Sequence, residues 1–414
     1  MPQSRESLDA EGMVVSPGFI DIHMHEEDFL LEGEKYVIAE MMLKMGVTTA
    51  VGGNCGIQRQ KVEKFREVIE KLGGSPINYM LMTGYNQKRY DLSVQRFEKI
   101  SSWQQCSIMR AIEKELEAGV CGISFGIEYD PGISAEEMIE TLKAFKTDSL
   151  LAAAHYRTSC IENIDSIEEM VNIADKTSVK FQVSHLSSCS AMGKMKESLE
   201  LIRKEALKNS KLDFDTYPYN AFSTMLGSQV FEPGCLERWK KDYDCILLTD
   251  EPYKNMRCDE NLFREARERY PDMLAVVFAM NESEIKEART CDAGMIASDG
   301  IISGGRGHPR AAGTFPRILG KYVREEKAIG LIDALEKMTI KPADRLCLKG
   351  KGRIKTGCDA DIVIFDPGKI AEAADFTNLT PWPEGIKYVF IDGVKAIENK
   401  RLINGRLGRF IKGA

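Results

Sequence analysis

Histidine is scarce in this sequence, and paired cysteines are absent. The chain has 414 residues and only 5 histidines, and none of its 11 cysteines stands in a Cys-x-x-Cys pair. Scattered cysteines of this kind are typical of a reducing compartment, where they remain thiols. With the exception of Cys55, which is discussed below, we therefore interpret them as small buried hydrophobic groups.

Long apolar runs and a basic stripe are also missing. No segment reaches the ~18 apolar residues that a membrane-spanning helix needs, and residues 1–12 are polar, unlike the apolar centre of a signal peptide. The net charge is −7, with both signs mixed along the chain. These absences argue against membranes and nucleic acids as partners. They predict a cytoplasmic protein that acts on a small molecule.

Strand-like and helix-like segments alternate along most of the chain. Such alternation favours a parallel sheet, and eight repeats favour a closed (β/α)8 barrel of the TIM type. An open doubly wound sheet is the runner-up, but no Gly-x-Gly-x-x-Gly motif follows the first strand. The eight predicted strands are residues 14–25, 47–52, 77–83, 120–129, 150–155, 179–185, 212–217 and 294–299.

Two segments do not fit the repeating pattern. About seventy residues separate the seventh and eighth strands, and we predict that residues 222–280 form an inserted lid. Near the C-terminus, residues 359–366 and 386–397 alternate apolar and polar side chains, as half-buried antiparallel strands do. The predicted domains are a barrel over residues 14–344 and a small β domain from residues 1–13 and 345–414.

Four of the five histidines fall at the ends of predicted strands. His23 and His25 end the first strand and point the same way, because they are two residues apart. His155 and His185 end the fifth and sixth strands, and Asp299 ends the eighth. The C-terminal ends of barrel strands converge on one mouth. A single histidine at a strand end is commonly structural, but four of them with a carboxylate predict a site for a divalent transition metal, with zinc preferred.

One cysteine is predicted to reach the same mouth. Cys55 ends the second strand in the segment VGGNCGI, where the glycines let the backbone bend tightly. A nearby cation would favour its thiolate. We therefore interpret Cys55 as a metal ligand that bridges two positions. Glu128, near the end of the fourth strand, is its rival for that role, and no lysine stands at the end of that strand.

Several segments, in order along the chain, carry a family resemblance. The sequence resembles the N-acyl-D-amino-acid deacylases of the amidohydrolase superfamily from about Asp9 to the C-terminus. His-x-His together with Ser-Asp-Gly is typical of the superfamily, whereas the cysteine of GGNCG and the segment HPRAAGTFPR are more specific to the deacylases. The segments are PGFIDIHMH, GGNCG, AAHYR, QVSHL, DTYPYNAFSTML, ASDG and GHPRAAGTFPRILG.

The resemblance implies a zinc hydrolase that releases a D-amino acid and a carboxylic acid from an N-acyl-D-amino acid. It implies a TIM-like barrel with a small β domain and a mobile lid. A tightly held zinc would take Cys55, His155 and His185. A second, weaker site would use His23 and His25 and share Cys55.

The resemblance also implies roles for residues around the metal. Asp299 would be the general acid and base, although it is also interpretable as a plain metal ligand, and the two roles can coexist. Arg310 would hold the substrate carboxylate, which its planar guanidinium suits; a surface salt bridge is the alternative. Tyr129 and Ser223 match positions that place the substrate. For His308 two interpretations are open: it orients substrate or stabilises an oxyanion, or it caps the turn that follows it.

Three features depart from the family pattern. The family's small β domain has a longer N-terminal portion, whereas about a dozen residues precede the first barrel strand here, so we expect several strands of an N-terminally truncated domain to be missing. Ser187 stands where relatives often have a lysine that helps to bind the substrate carboxylate. Glu26 stands where they often have aspartate. The second departure, at Ser187, leaves the preferred D-amino-acid side chain open.

Two other functions fit the same fold. A cyclic amidase of the dihydroorotase or hydantoinase kind would usually bridge its metals with a carbamylated lysine on the fourth strand, which this sequence lacks. A non-catalytic relative that serves assembly would be expected to lose metal ligands, whereas this chain keeps all of them.

Overall fold

The computed structural model describes residues 7–30, 33–160, 163–177 and 179–413. Its strands, numbered in chain order, are β1 Val14–Pro17, β2 Phe19–Asp21, β3 Val47–Gly52, β4 Asn78–Gly84, β5 Gly122–Gly126, β6 Leu151–His155, β7 Lys180–Val183, β8 Leu212–Thr216, β9 Phe222–Met225, β10 Ile246–Leu248, β11 Leu274–Val277, β12 Met295–Ile296, β13 Ile302–Ser303, β14 Arg306–Gly307, β15 Ile362–Phe365, β16 Ile386–Ile391, β17 Val394–Glu398 and β18 Arg401–Leu402.

The α-helices connect these strands, and a π-helical segment, Ile318–Glu325, continues the twelfth helix. The helices are α1 Ile38–Lys44, α2 Val62–Lys71, α3 Tyr85–Asp91, α4 Ser102–Ala118, α5 Ala135–Ala144, α6 Asn163–Thr177, α7 Leu186–Ser190, α8 Met195–Ala206, α9 Cys235–Trp239, α10 Glu260–Arg269, α11 Glu282–Thr290, α12 Arg310–Arg317, α13 Leu331–Met338 and α14 Ile340–Arg345.

The predicted TIM-like barrel is confirmed. Strands β2 to β8, followed by β12, form a parallel sheet in that order. The sheet closes where Met24 pairs with Gly300 and the His25 backbone N–H donates to the Gly300 carbonyl at 2.8 Å. Strands β3 to β6 are buried along their whole length, because helices cover the outer face of the barrel. Continuous apolar runs in the sequence follow from this two-sided burial.

The start of helix α5 and the buried face of helix α2 can both be explained from the sequence. The Ser134 hydroxyl accepts a hydrogen bond from the Glu137 backbone N–H at the start of α5, as the Ser-x-x-Glu spacing indicates. Helix α2 buries Val62, Phe65 and Ile69 on one side, at the spacing of helical turns. These apolar stripes pack the helices against the barrel strands.

The prediction of one continuous first strand over residues 14–25 is wrong. Strand β1 pairs antiparallel with β15 in a separate sheet, and only β2 belongs to the barrel. Gly18 separates the two strands, and a β-carbon there would lie only 2.2 Å from the Thr48 hydroxyl. Both strands begin with two apolar residues, so the sequence alone does not mark the change of partner. The boundaries of the two domains stay predictions, but residues 14–17 pair outside the barrel.

The small antiparallel sheet has the strand order β1-β15-β16-β17-β18. It packs on the barrel through Phe365 of β15, whose ring lies 6.4 Å from that of Phe19 in β2. The C-terminal segment then returns to the barrel, where Gly408 pairs with Ser75 and Phe410 with Tyr79, next to the start of β4. The chain end therefore braces the side of the barrel opposite its mouth.

The segment predicted as a lid contains a second antiparallel sheet, of order β10-β11-β9. The Trp239 side chain packs beside this sheet. Its ring centroid lies 5.5 Å from that of Phe222 and 5.8 Å from that of Phe231. This packing holds β9 beside the barrel mouth. That the segment moves as a lid stays a prediction. Across the described ranges, no helix is both long and apolar enough to cross a membrane.

Candidate active site

The structure brings all the predicted metal donors and Asp299 together at the C-terminal ends of the barrel strands. Each of these side chains is buried. His23 and His25 follow β2, Cys55 follows β3, His155 ends β6, His185 follows β7 and Asp299 follows β12.

Cys55 lies at the centre of the cluster. Its sulfur is 3.4 Å from His23 Nε2 and 3.4 Å from His185 Nε2. The donor atoms fall into two groups, each within 4.8 Å: His23, His25, Cys55 and Asp299 form one, and Cys55, His155 and His185 form the other. Cys55 is the residue that these two groups share, which is the position that a bridging ligand requires.

The chain adopts unusual backbone conformations at this site. Cys55, His185 and Asp299 all have positive φ angles, 56°, 32° and 49°. Such left-handed conformations cost non-glycine residues energy and are often found at functional sites. The Cys55 turn is held by Glu26, whose carboxylate accepts hydrogen bonds from the Gly53 N–H at 2.7 Å and the Arg59 N–H at 3.0 Å. Glu26 thus shapes the loop that presents Cys55.

The donor set fits a zinc ion. In tetrahedral sites with Zn–S near 2.3 Å and Zn–N near 2.0 Å, sulfur and nitrogen are separated by roughly 3.5 Å, close to the 3.4 Å spacings of Cys55. Burial alone would raise the pKa of the Cys55 thiol, but the charges of His185 and His23 lower it well below its ordinary value. The Nδ1 atoms of His25 and His155 are buried and have no hydrogen-bond partner among the described residues.

Asp215 was missed by the sequence reasoning. This carboxylate on β8 lies 3.1 Å from His23 Nδ1 and accepts the His185 backbone N–H at 2.8 Å. Its other oxygen accepts from Gln182 at 3.2 Å. A carboxylate that orients a ligating histidine in this way fixes the ring and its tautomer. The only sequence signal was an acid within the apolar strand LDFDT.

Asp299 and Arg310 form a buried ion pair. Arg310 Nη2 lies 3.0 Å from Asp299 Oδ2, and Asp299 Oδ1 lies 3.4 Å from Nε2 of both His23 and His25. Although burial opposes ionisation, Arg310 and His185 hold the pKa of Asp299 far below its usual value. The Arg310 side chain is 2 % exposed, and its Nε and Nη1 groups have no partner within the described residues. The N–H groups on these two buried nitrogens of Arg310 are therefore available to a ligand.

The remaining predicted substrate residues border the same space. A cavity of about 380 Å³ is lined by His25, Cys55, Tyr129, Ser223, Asp299 and Arg310, with further residues of the surrounding loops. The Tyr129 ring lies 4.6 Å from the His155 ring. The Ser223 hydroxyl is buried without a partner in the described structure, and its carbonyl accepts from Arg310 at 3.4 Å. The predicted residues thus share one cavity beside the metal donors.

His308 occupies a different place from these residues. Its Nδ1 accepts a hydrogen bond from the Arg310 backbone N–H at 3.0 Å, as the capping interpretation requires. Burial and the charge of Arg310 keep its pKa well below the ordinary value, so the ring is neutral. Ser187 is fully buried, and its hydroxyl has no hydrogen-bond partner within the described residues.

Glu128 does not join the two donor groups around Cys55. Its carboxylate accepts a hydrogen bond from His155 Nε2 at 2.6 Å, and its two oxygens share the Ser159 hydroxyl donor at 3.1 and 2.9 Å. It belongs instead to a third group, with His155 and Cys189. Of the two candidates for a bridging ligand, the geometry therefore favours Cys55.

Comparison with known proteins identifies the family. A sequence model of the amidohydrolase family matches residues 14–395. The chain belongs to the amidohydrolase family. This amidohydrolase is 29% identical to the D-aminoacylase of Alcaligenes xylosoxydans xylosoxydans, over 98% of its own length and 88% of that relative.

Solved structures agree with this assignment. The crystal structure of a D-aminoacylase superposes on the amidohydrolase with a TM-score of 0.88 and 28% identity, covering 99% of this chain and 92% of that one. The N-acyl-D-glutamate deacylase of Bordetella bronchiseptica, solved with zinc and a phosphonate that mimics the tetrahedral intermediate, gives a TM-score of 0.84 and 26% identity, covering 98% and 90%. The resemblance to the deacylases is confirmed.

Proposed function

We propose that this amidohydrolase is a zinc-dependent deacylase that converts N-acyl-D-amino acids to a D-amino acid and a carboxylate. The observation that carries the proposal is the buried Arg310 guanidinium, which keeps two N–H groups unpaired beside Asp299 and the metal donors. A buried cation of this kind is suited to a substrate carboxylate. An amide attached to the same α-carbon as that carboxylate would lie beside the donor cluster.

Cys55, His155 and His185 would hold the zinc ion tightly, and His23 and His25 would hold a weaker second ion together with Cys55. Bound zinc supplies a nucleophilic water at neutral pH and polarises the acyl carbonyl. Asp215 keeps His23 and the His185 backbone in place, so the donor set is organised before the ion arrives.

Asp299 is the general base and then the general acid. Its lowered pKa keeps it ionised through the neutral range, which is the state that accepts a proton from the attacking water. The same carboxyl group then delivers that proton to the departing nitrogen. Its Oδ1 lies towards the two histidines and its Oδ2 towards Arg310, so one oxygen serves the chemistry while the other is anchored.

Arg310, Ser223 and Tyr129 would place the substrate. Arg310 would take the carboxylate through Nε and Nη1, and the unpaired Ser223 hydroxyl borders the same cavity. The Tyr129 ring lies against that of His155 and lines the cavity. His308 supports this arrangement indirectly, because it caps the helix that begins with Arg310.

Neither alternative function has a specific observation in its favour. A lysine-bridged cyclic amidase would need a lysine after β5, and residues 126–130 contain none. A scaffold without catalysis would not require five buried metal donors and an ionised carboxylate at one barrel mouth.

A paired substrate screen tests the proposal. The zinc-loaded protein is incubated with N-acetyl-D- and N-acetyl-L-amino acids, and the released amino acid and acetate are quantified by chiral chromatography. We expect equal amounts of acetate and D-amino acid, with no release from the L series. Hydrolysis of the L series alone would contradict the proposal.

A further inference from the structure

A third cluster of metal-ligating side chains lies beside the two that share Cys55. Glu128, His155 and Cys189 each bring one donor atom within 4.8 Å of the others. Glu128 Oε2 is 2.6 Å and Cys189 Sγ 3.9 Å from the same atom, His155 Nε2. A carboxylate and a thiol thus converge on one imidazole nitrogen, and neither has a part in the proposed reaction.

The cluster borders a small cavity and is fixed by neighbouring side chains. A small cavity of about 30 Å³, large enough for a water-sized occupant, is lined by Glu128, His155, Ser159 and Cys189 among other residues. The Ser159 hydroxyl donates to both Glu128 oxygens and fixes the carboxylate. Cys189 is 1 % exposed, and its helix α7 begins directly after His185. The three donors are therefore positioned by neighbouring structure rather than free on a surface.

We propose that Glu128, His155 and Cys189 form a third metal position that binds a thiophilic divalent cation such as Zn²⁺ or Cd²⁺. Carboxylate, imidazole and thiolate are the three ligand types that zinc accepts in proteins, and the thiolate selects against Mg²⁺ and Ca²⁺. Three protein ligands leave a fourth coordination position open. The hydrogen bond between Glu128 and His155 would be replaced by bonds of both groups to the cation.

The position has a consequence for regulation, because His155 belongs to two clusters. It is also a member of the group with Cys55 and His185. A cation between Glu128 and Cys189 would reorient or withdraw this imidazole from the tight site. Excess zinc is therefore expected to inhibit through Cys189, independently of the weaker position at His23 and His25, which contains no atom of Cys189 or Glu128.

A cadmium titration of the metal-free full-length protein tests the proposal. Ultraviolet absorption from sulfur-to-cadmium charge transfer reports each thiolate that binds. We expect an earlier phase from the two positions that share Cys55 and a later phase that is lost in Cys189→Ser. The matched control is Cys160→Ser, which removes another buried thiol. The Cys160 thiol donates a hydrogen bond to Met192 Sδ at 3.3 Å and lies outside the three clusters. This control should retain both phases.

A second variant separates metal binding from a purely structural hydrogen bond. Glu128→Gln keeps every thiol, and loss of the anionic ligand should move the later phase to cadmium concentrations on the order of tenfold higher or more. Circular dichroism checks folding of each variant. If Cys189→Ser does not fold, Glu128→Gln decides the question.

A later phase that persists unchanged in Cys189→Ser or in Glu128→Gln would overturn the proposal. The readout does not involve the substrate. A protein that binds cadmium through Cys189 but hydrolyses no N-acyl-D-amino acid would uphold this position and contradict only the proposed deacylase activity.

Discussion

At the scale of single residues, one carboxylate organises two of the metal donors. Asp215 contacts the His23 ring and the His185 backbone with the same oxygen. Both contacts lie below the donor atoms and do not use the nitrogens that face Cys55. Asp215 thus fixes two metal donors through atoms that do not face the metal position. Such outer contacts tune metal affinity without touching the ion.

We expect Asp215→Asn to weaken zinc binding by about 10- to 100-fold, because the neutral amide no longer stabilises the orientation and basicity of His23. The matched control is Asp213→Asn on the same strand, whose carboxylate accepts the Gly294 N–H at 3.1 Å, away from the donors. Competition against a chromophoric chelator measures both affinities. Equal zinc affinity in Asp215→Asn and the wild type would contradict this role.

The sequence predicted the donors but not their supports. His23, His25, His155, His185 and Asp299 could be found because strand ends in a barrel converge, so position along the chain implied position in space. The contacts of Asp215, and those of Cys189, join residues whose proximity depends on side-chain directions at the barrel mouth. Strand periodicity does not determine such distances.

At the scale of elements, the alternation of strands and helices was sufficient to predict the barrel, whereas the split of the first strand was not. Strands β1 and β2 are adjacent in sequence but join different sheets, and the close contact of Gly18 with Thr48 accompanies the change. Both strands begin with two apolar residues, so the hydrophobic pattern of the sequence does not show that they join different sheets.

Helix α13 places a buried lysine under the last barrel strand. Lys337 is 4 % exposed and donates hydrogen bonds to the carbonyls of Ala293 and Gly294, just before β12. Burial, with a smaller contribution from Lys341, lowers the pKa of Lys337 to about 8 from an ordinary 10.5. The folded protein therefore releases this proton at a lower pH than the unfolded chain does.

This pKa difference predicts a pH-dependent stability. Below pH 8 the lysine is charged in both states and its burial cost is present in full. Between about pH 8 and pH 10.5 the unfolded chain binds more protons, so stability rises with pH, by up to about 3 kcal/mol. We expect the unfolding free energy of the wild type relative to Lys337→Met to increase over this range in urea titrations. If the difference in unfolding free energy between the wild type and Lys337→Met stays constant with pH, the lowered pKa of Lys337 is contradicted.

At the scale of the whole molecule, the two ends of the barrel have separate tasks. Metal donors and substrate residues gather at the mouth, while the C-terminal segment crosses the opposite side. There the backbone of residues 408–413 makes hydrogen bonds with Ser75, Tyr79 and Gly119, at 2.7 to 2.9 Å. Stability and chemistry should therefore be separable by truncation.

We expect deletion of residues 405–414 to lower the thermal midpoint without reducing zinc affinity. Five backbone hydrogen bonds to the barrel are lost, and at about 1 kcal/mol each this corresponds to a decrease of about 6 °C for a chain of this length. Differential scanning calorimetry and zinc competition measure the two quantities. A large loss of zinc affinity at an unchanged midpoint would contradict the separation.

The central claim is that Asp299 carries out proton transfer in an N-acyl-D-amino-acid deacylase. The most direct measurement is kcat of zinc-loaded Asp299→Asn on an N-acetyl-D-amino acid that the wild type hydrolyses, with zinc content determined on the same sample. We predict that kcat falls by at least a factor of about 10³ while zinc remains bound through Cys55, His155 and His185. Turnover at the wild-type rate in the zinc-loaded variant would contradict the account.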